Sequence, residues 1–269
     1  SARADLMFRA AQVIANEEGD TQRAIERLGV IVGLLPTHGP TLAALAASSD
    51  DGEALNAVTR ILEPLYRSSQ NFAELAALYE KRLRADAIDP EQKRSDAGVL
   101  ARLYEVGLGD LGRAFDVWGR LFDEEPENTS FQAELERITD VRGDFVPLAE
   151  RYGEKLADIV DTDLARVLAS KVALIYEDAL GNFEAAASMY QKALEYGGNE
   201  GESLAALERV YERTGNWAAL CEVLAKEAEI APSPEEQADY SFRAGDVRER
   251  HMGDVQAAVV FYREALERV

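Results

Sequence analysis

The chain has almost none of the residues on which disulfide, metal and histidine chemistry depend. Its 269 residues include one cysteine, Cys221, and two histidines, His38 and His251. A single cysteine excludes an intrachain disulfide, and its apolar neighbours indicate a small buried side chain. The two histidines lie near opposite ends of the chain, so the sequence assembles no metal-ligand spacing and no Ser/His/Asp arrangement. We therefore predict no metal, no cofactor and no catalytic residues.

Basic residues are scarce as well. The chain has 29 Lys and Arg against 50 Asp and Glu, a formal net charge of -21. So acidic a surface repels nucleic acid phosphates and anionic lipids, which disfavours both as partners. The longest apolar runs are far shorter than a membrane span, and no signal peptide opens the chain. Together with the lone cysteine, these features predict a cytoplasmic protein without membrane insertion.

What the chain does contain is a two-residue turn that recurs seven times. From the second turn onward, its second residue recurs at spacings of 39, 34, 38, 34 and 38 residues. A period of this size predicts a solenoid of helical hairpins, none of which can bury its apolar face alone. The turns are Gly19-Asp20, Gln70-Asn71, Gly109-Asp110, Gly143-Asp144, Gly181-Asn182, Gly215-Asn216 and Gly253-Asp254.

We predict a single array over residues 1–269, made of seven antiparallel hairpins. Breakers at Pro36 and Pro40 precede an extra short helix at about 40–50, which explains a first turn spacing of 51 residues. Because the array starts and stops abruptly, we expect a fragment of a longer protein. The predicted hairpins one to seven span about 2–36, 53–87, 91–126, 129–160, 163–197, 201–231 and 234–268.

The residue five positions after the turn glycine alternates between alanine and leucine. Alanine lets two helices approach closely, whereas leucine holds them apart. We therefore predict alternating helix-packing distances and a structural repeat of two hairpins. The odd hairpins have Ala24, Ala114, Ala186 and Ala258 at this position, and the even hairpins have Leu75, Leu148 and Leu220.

Small and aromatic residues recur at fixed positions around the turn. Hairpin five has Ala173, Tyr176, Gly181, Ala186, Tyr190 and Ala193; hairpin three has Ala101, Tyr104, Gly109, Ala114, Trp118 and Pro126; hairpin seven has Gly245, Gly253, Ala258, Tyr262 and Ala265. This pattern resembles the tetratricopeptide repeat. Hairpins two, four and six diverge, and the first-helix turn of the odd hairpins is one residue longer than usual. The resemblance implies an all-α, right-handed solenoid whose concave groove, lined by first helices, binds peptides or domains.

An acidic residue follows the tyrosine position of the first helix in five consecutive hairpins. By the resemblance, this position faces the groove, where an acidic stripe could bind a basic peptide or helix. The alternative is that three arginines, each three residues earlier, form exposed ion pairs worth about 0.2–0.5 kcal/mol each. The acidic residues are Glu105, Asp140, Glu177, Glu212 and Glu249, and the arginines are Arg102, Arg137 and Arg209.

The predicted function is a non-catalytic scaffold that binds a protein partner with a basic segment in this acidic concave groove. The alternative is a spacer or self-assembling rod within a larger protein, associating through uncapped ends such as the last helix. An enzyme is disfavoured, and the GxGxxG at 107–112 is interpreted as a repeat turn because a helix, not a strand, precedes it. The richness in Ala, Glu and Arg is typical of a bacterial protein.

Overall fold

All regular secondary structure in the described residues is helical. The computed structural model describes residues 2–47, 52–198 and 200–268. Within these ranges there are fifteen α-helices and no strand, which confirms the all-α class. None of these helices is long and apolar enough to cross a membrane. In chain order they are α1 (Ala2–Val13), α2 (Thr21–Leu34), α3 (Gly39–Ala47), α4 (Gly52–Ser68), α5 (Phe72–Arg84), α6 (Pro90–Arg102), α7 (Leu111–Glu124), α8 (Thr129–Arg142), α9 (Val146–Lys155), α10 (Thr162–Leu174), α11 (Phe183–Glu195), α12 (Glu200–Thr214), α13 (Trp217–Ile230), α14 (Pro234–Arg250) and α15 (Val255–Arg268).

The chain divides into two compact units, Ser1–Arg142 and Gly143–Val269. The N-terminal unit contains α1–α8 and the C-terminal unit contains α9–α15. Within each unit, helices pack mainly against their neighbours in sequence, as expected of helical repeats. The extra short helix corresponds to α3, which packs on α2, while residues 48–50 of its predicted range lie outside the described residues. That one array spans the whole chain stays a prediction.

The first residue of the recurring turn has the same backbone conformation in all seven turns. Its φ is left-handed, between 55° at Gln70 and 69° at Gly215. Five of the second residues cap the following helix, because their side chains accept a hydrogen bond from the N–H three residues later, at 2.9–3.4 Å. These caps are Asp20, Asp110, Asn182, Asn216 and Asp254. Glycine followed by Asp or Asn therefore encodes this turn locally.

The longer turn of the odd hairpins has a structural basis. The N–H groups of Asn71 and Asn216 donate to carbonyls five residues back, whereas those of Asp20, Asp110, Asn182 and Asp254 donate to carbonyls six residues back. After α1, α6 and α10 the extra residue is taken up by a π-helical segment: Ile14–Glu18, Leu103–Gly107 and Ile175–Ala179. The odd and even first helices thus end differently.

The alternating alanine and leucine positions are buried in every hairpin, with at most 4% of their surface exposed. A Cβ placed on Gly245 of α14 would lie 3.2 Å from the Ala258 carbonyl and 2.7 Å from Tyr262 Cε1. The backbones of α14 and α15 therefore approach closely at one of the alanine positions. Alternation of the packing distances along the array stays a prediction.

A buried ionic network joins α4, α5 and α6. The Arg82 side chain is buried, and its Nε donates to Asp96 Oδ2 at 2.6 Å. Its terminal nitrogen Nη1 reaches Asn56 Oδ1 at 2.7 Å and Thr59 Oγ1 at 3.3 Å. Gln92 Nε2 donates to the second Asp96 oxygen at 3.0 Å. The charges of this pair are thus matched, as burial of charge requires.

Replacing Gln70 by glycine is expected to raise the free energy of unfolding of the N-terminal unit by about 0.5–1 kcal/mol. Gln70 is the one described non-glycine residue with positive φ, at 55°. The left-handed strain removed exceeds the backbone entropy that glycine adds to the unfolded chain. Urea denaturation measures the change. Ser68→Gly, in the last turn of α4, is the control and should lower stability; a lower midpoint for Gln70→Gly would contradict the strain argument.

Candidate protein-binding surface

The five predicted acidic positions all lie toward the C-terminal end of a first helix. Glu105 and Glu177 fall in the π-helical segments after α6 and α10, while Asp140, Glu212 and Glu249 lie on α8, α12 and α14. Glu105 and Asp140 belong to the N-terminal unit, and the other three belong to the C-terminal unit. Their surroundings differ in ways the sequence pattern does not reveal.

Glu105 is held by an arginine of the next first helix. Arg137 of α8 donates from its two terminal nitrogens to the two carboxylate oxygens of Glu105, both at 2.7 Å. Arg137 also bonds Glu134 on its own helix at 2.8 Å. The Arg137 guanidinium keeps the pKa of Glu105 below its usual value, with a smaller contribution from exposed Arg102. The charge of Glu105 is therefore already matched within the protein.

Glu177 has the same kind of partner and is buried, with 5% of its surface exposed. Arg209 of α12 donates to its two oxygens at 2.7 and 2.8 Å, and the Tyr190 hydroxyl donates at 2.9 Å. Arg209 is the main cause of a lowered pKa at Glu177. Burial, together with this carboxylate, raises the pKa of Tyr190. Glu177 therefore ties α10, α11 and α12 together and offers no free carboxylate to a partner.

These two contacts, Glu105–Arg137 and Glu177–Arg209, are named here the inter-hairpin pairs. In both, the arginine follows the glutamate by 32 residues. Local ion pairing within one helix is the alternative explanation that the sequence offers for these arginines. Arg137 and Arg209 both bond the acidic residue of the preceding hairpin, and Arg137 in addition bonds Glu134 within its own helix. The glutamates and arginines of the inter-hairpin pairs thus form contacts between successive hairpins.

The other three acidic residues keep accessible carboxylates. Asp140, Glu212 and Glu249 are all exposed. Glu212 lies 3.6 Å from an Arg243 nitrogen while 53% of its side chain stays exposed. Glu249 accepts a hydrogen bond from the Tyr262 hydroxyl at 2.7 Å. Of the five predicted positions, Asp140 in the N-terminal unit and Glu212 and Glu249 in the C-terminal unit thus have exposed side chains, and that any of the five binds a partner stays a prediction.

Beside Glu212 lies a polar cluster that the sequence did not single out. Both terminal nitrogens of Arg243 on α14 donate to the carboxylate of Glu208 on α12. Glu227 on α13 is buried, and its Oε2 has no hydrogen-bond partner. Burial raises the pKa of Glu227 to about 8, aided by the hydrogen bond to Glu208 and opposed by Arg243. Glu227 has helical spacing from Leu220 and Leu224. This spacing is the sequence signal that places Glu227 on the buried face of the helix.

A cleft of about 320 Å³ opens between α12, α13 and α14. Its walls carry the side chains of Trp217, Phe242 and Val247. Its rim carries the carboxylates of Glu212 and Asp246 and the guanidinium of Arg243. Trp217 stacks on His251, with ring centroids 3.8 Å apart and planes 20° from parallel. The lining residues are Glu212, Trp217, Leu220, Leu224, Phe242, Arg243, Asp246, Val247 and His251. We call this site the anchor cleft.

His38 forms a hydroxyl–imidazole–carboxylate chain that the sequence did not suggest. Its Nδ1 lies 2.7 Å from Thr41 Oγ1 and its Nε2 lies 3.0 Å from Asp5 Oδ1. The hydrogen bond to His38 lowers the pKa of Asp5. Thr41 has no solvent exposure, so its hydroxyl cannot reach a substrate. The hydrogen bonds of His38 therefore connect α1 to α3 and have a structural role. Among the residues described, no group of three or more His, Cys, Asp or Glu is placed to hold a metal.

Comparison with known proteins places a repeat in the C-terminal unit. Residues 203–238, which cover most of α12, all of α13 and the start of α14, match the family model of the tetratricopeptide repeat. A search of curated proteins finds no match.

Three crystal structures are distantly similar. BtubC (BKLC) from P. vanneervenii is 16% identical with a TM-score of 0.32, over 99% of this chain and 88% of that one. The C-terminal part of a TPR repeat-containing protein from Cytophaga hutchinsonii is 13% identical with a TM-score of 0.39, over 97% and 99%. A tetratricopeptide repeat protein from Parabacteroides merdae is 14% identical with a TM-score of 0.29, over 99% and 93%.

Proposed function

We propose that this tetratricopeptide-like helical repeat protein is a cytoplasmic, non-catalytic scaffold that binds a basic segment of a protein partner. Such repeats generally mediate protein–protein interaction and are typically non-catalytic. The observation that supports a basic partner is the pair of exposed carboxylates at Glu212 and Glu249 in the C-terminal unit, each near the end of a first helix; Asp140 is an exposed carboxylate of the separate N-terminal unit. The single buried cysteine, Cys221, fits a reducing compartment.

Charge supports this choice of partner. With a net charge of -21, the protein attracts basic surfaces over long range and repels acidic ones. Exposed carboxylates add short-range complementarity, which fixes orientation and accelerates encounter more than it adds affinity. Glu105 and Glu177 are left out of the binding set because the inter-hairpin pairs already match their charge. The proposed surface is therefore concentrated in the C-terminal unit.

Selection from a random peptide library tests the proposal because it does not require the partner to be identified first. We expect enriched peptides to be rich in Lys and Arg and their binding to weaken with added salt. The variant Glu212→Lys, Glu249→Lys should bind them at least about tenfold more weakly. The matched control is Glu195→Lys, Glu229→Lys, which makes the same charge change at second-helix positions of the same unit. Equal loss in both variants, or none in the first, would reject the acidic first-helix surface.

Self-association through α15 is a second candidate, favoured by a separate observation. Val255, Val259, Val260 and Leu266 on this helix expose between 39% and 79% of their surface. Such apolar exposure favours burial against another surface. Sedimentation equilibrium over a wide concentration range should then show association that Leu266→Glu abolishes. A protein that stays monomeric throughout would exclude this candidate.

A further inference from the structure

The anchor cleft combines aromatic side chains in its walls with carboxylates at its rim. We propose that it binds one large apolar side chain of the partner, and that Lys or Arg residues beside this side chain bind the carboxylates of Glu212 and Asp246. The proposal rests on the scaffold function, because it names the chemistry of the basic segment and the place where it is anchored. It adds an apolar requirement that the acidic positions alone do not contain.

The walls of the cleft are suited to an apolar side chain. Leu220 and Leu224 of α13 lie at its base, where each exposes 1% of its surface, so the apolar contact area comes from Phe242, Trp217 and Val247. Phe242 of α14 lines the cleft with 54% of its surface exposed. Trp217 is only half buried, and its ring stacks on the His251 ring. Aromatic residues in partly open, preformed clefts are typical of the residues that dominate binding energy at interfaces.

The volume of the cleft limits the size of the group that it can bind. A volume of about 320 Å³ lies at the lower end of the range for ligand pockets. It therefore suits a single Phe, Trp or Leu side chain better than a folded domain. The Trp217 ring is already held in place by stacking on His251. It therefore loses little conformational entropy when a side chain of the partner enters the cleft, which favours affinity.

The rim presents negative charge to the flanking residues of the partner. Arg243 is the cation on the rim, and both of its terminal nitrogens are engaged by Glu208. The carboxylate of Glu212 remains 53% exposed beside it. Asp246 bonds Arg250 at 2.8 Å, but the Arg250 side chain is 72% exposed, so this contact is weak and easily shared with an incoming cation. An acidic peptide would meet two carboxylates at this rim, whereas a basic one is attracted.

Trp217 reports directly on the cleft. Trp118 and Trp217 are the two tryptophans of the chain, so a Trp118→Phe background leaves Trp217 as the single tryptophan fluorophore. The probes are three labelled synthetic peptides: Ser-Lys-Lys-Phe-Lys-Lys-Ser, the same peptide with Ala for Phe, and the same peptide with Glu for every Lys. Peptide anisotropy gives the affinity, and Trp217 emission shows whether the cleft is entered.

We expect the Phe peptide to shift Trp217 emission and to bind at least about tenfold more tightly than the Ala peptide. Phe242→Ser should reduce its affinity to that of the Ala peptide. Leu108→Ser, at another exposed large apolar residue, is the matched control and should change neither affinity. Because Phe242 also packs against Tyr262, Asp246→Lys serves as a second variant that leaves the aromatic walls intact and should weaken the Phe peptide.

The outcomes separate this proposal from the scaffold function. Equal binding of the Phe and Ala peptides, unchanged by Phe242→Ser, would overturn the anchor cleft while leaving the basic-partner scaffold in place. Binding of the Glu peptide as tightly as the Lys peptide would overturn the charge assignment of the rim. Failure of both Lys peptides to bind would overturn the anchor cleft and the basic-partner proposal together.

Discussion

Replacement of Glu227 by glutamine is expected to stabilise the C-terminal unit at pH 8 by about 2–4 kcal/mol. Glu227 is 4% exposed, and burial beside Glu208 raises its pKa from 4.5 to about 8. The folded protein therefore keeps a proton that the unfolded chain releases. Glutamine has nearly the same shape and can still donate a hydrogen bond to Glu208, but it does not have to take up a proton on folding.

The raised pKa of Glu227 determines how the stability of the C-terminal unit changes with pH. Between pH 4.5 and about 8 the folded state binds the extra proton. Stability of the natural protein should therefore fall as the pH rises through this window, by up to about 1.4 kcal/mol per pH unit, and this contribution should level off above it. In Glu227→Gln that part of the slope disappears, so the two stabilities should differ most at high pH and least near pH 4.5.

Urea denaturation at a series of pH values measures this difference. In the Trp118→Phe background, Trp217 fluorescence follows the C-terminal unit alone. Glu229→Gln on the same helix is the matched control, because it makes the same chemical change at an exposed position. Parallel stability curves for the natural protein and Glu227→Gln would show that Glu227 is ionised in the folded state at neutral pH.

Breaking the buried pair between Arg82 and Asp96 is expected to destabilise the N-terminal unit by about 3–5 kcal/mol. The two side chains are only 6% and 5% exposed, and the Nε–Oδ2 distance is 2.6 Å. In Arg82→Met the Asp96 carboxylate loses its charged partner and keeps the hydrogen bond from Gln92 Nε2. The penalty comes mainly from the unmatched charge and only in part from the lost attraction.

A second substitution distinguishes these two contributions. Arg82→Met combined with Asp96→Leu removes both charges, so the double variant should be more stable than Arg82→Met alone despite carrying one more change. Trp118 fluorescence in a Trp217→Phe background follows the N-terminal unit during urea denaturation. Arg84→Met, at the exposed end of α5, should cost little because its contact with Glu80 is on the surface. A double variant that is less stable to urea than Arg82→Met alone would contradict the explanation by unmatched charge.

The hairpins themselves were predictable because their signals are local. A glycine with positive φ, an Asp or Asn cap and an apolar helical period each act within a few residues of chain. Hence the all-α repeat was evident from the sequence, as was the extra residue at the end of the odd first helices. The form that this extra residue takes, a π-helical segment after α6 for example, required the hydrogen bonds to be seen.

The acidic stripe was harder to interpret, because its members share a sequence position but not an environment. Glu177 and Glu212 are equivalent in the repeat, yet Glu177 is 5% exposed and fully bonded while the Glu212 side chain is 53% exposed. The difference depends on what stands one hairpin later: Arg209 bonds Glu177 directly, whereas Arg243 bonds Glu208 and only approaches Glu212. No local pattern contains that information.

The sequence by itself therefore determined the repeat, its turns, the buried alanine and leucine positions and the acidic character of the first helices. Only the tertiary structure decided which carboxylates are free, which are bonded by an arginine 32 residues away, and that Glu227 is buried beside Glu208. It alone assembled Trp217, Phe242 and Asp246 around one cleft. The physical reason is range, since helix and turn formation is governed by neighbours in sequence, whereas charge matching, burial and cleft shape depend on neighbours in space.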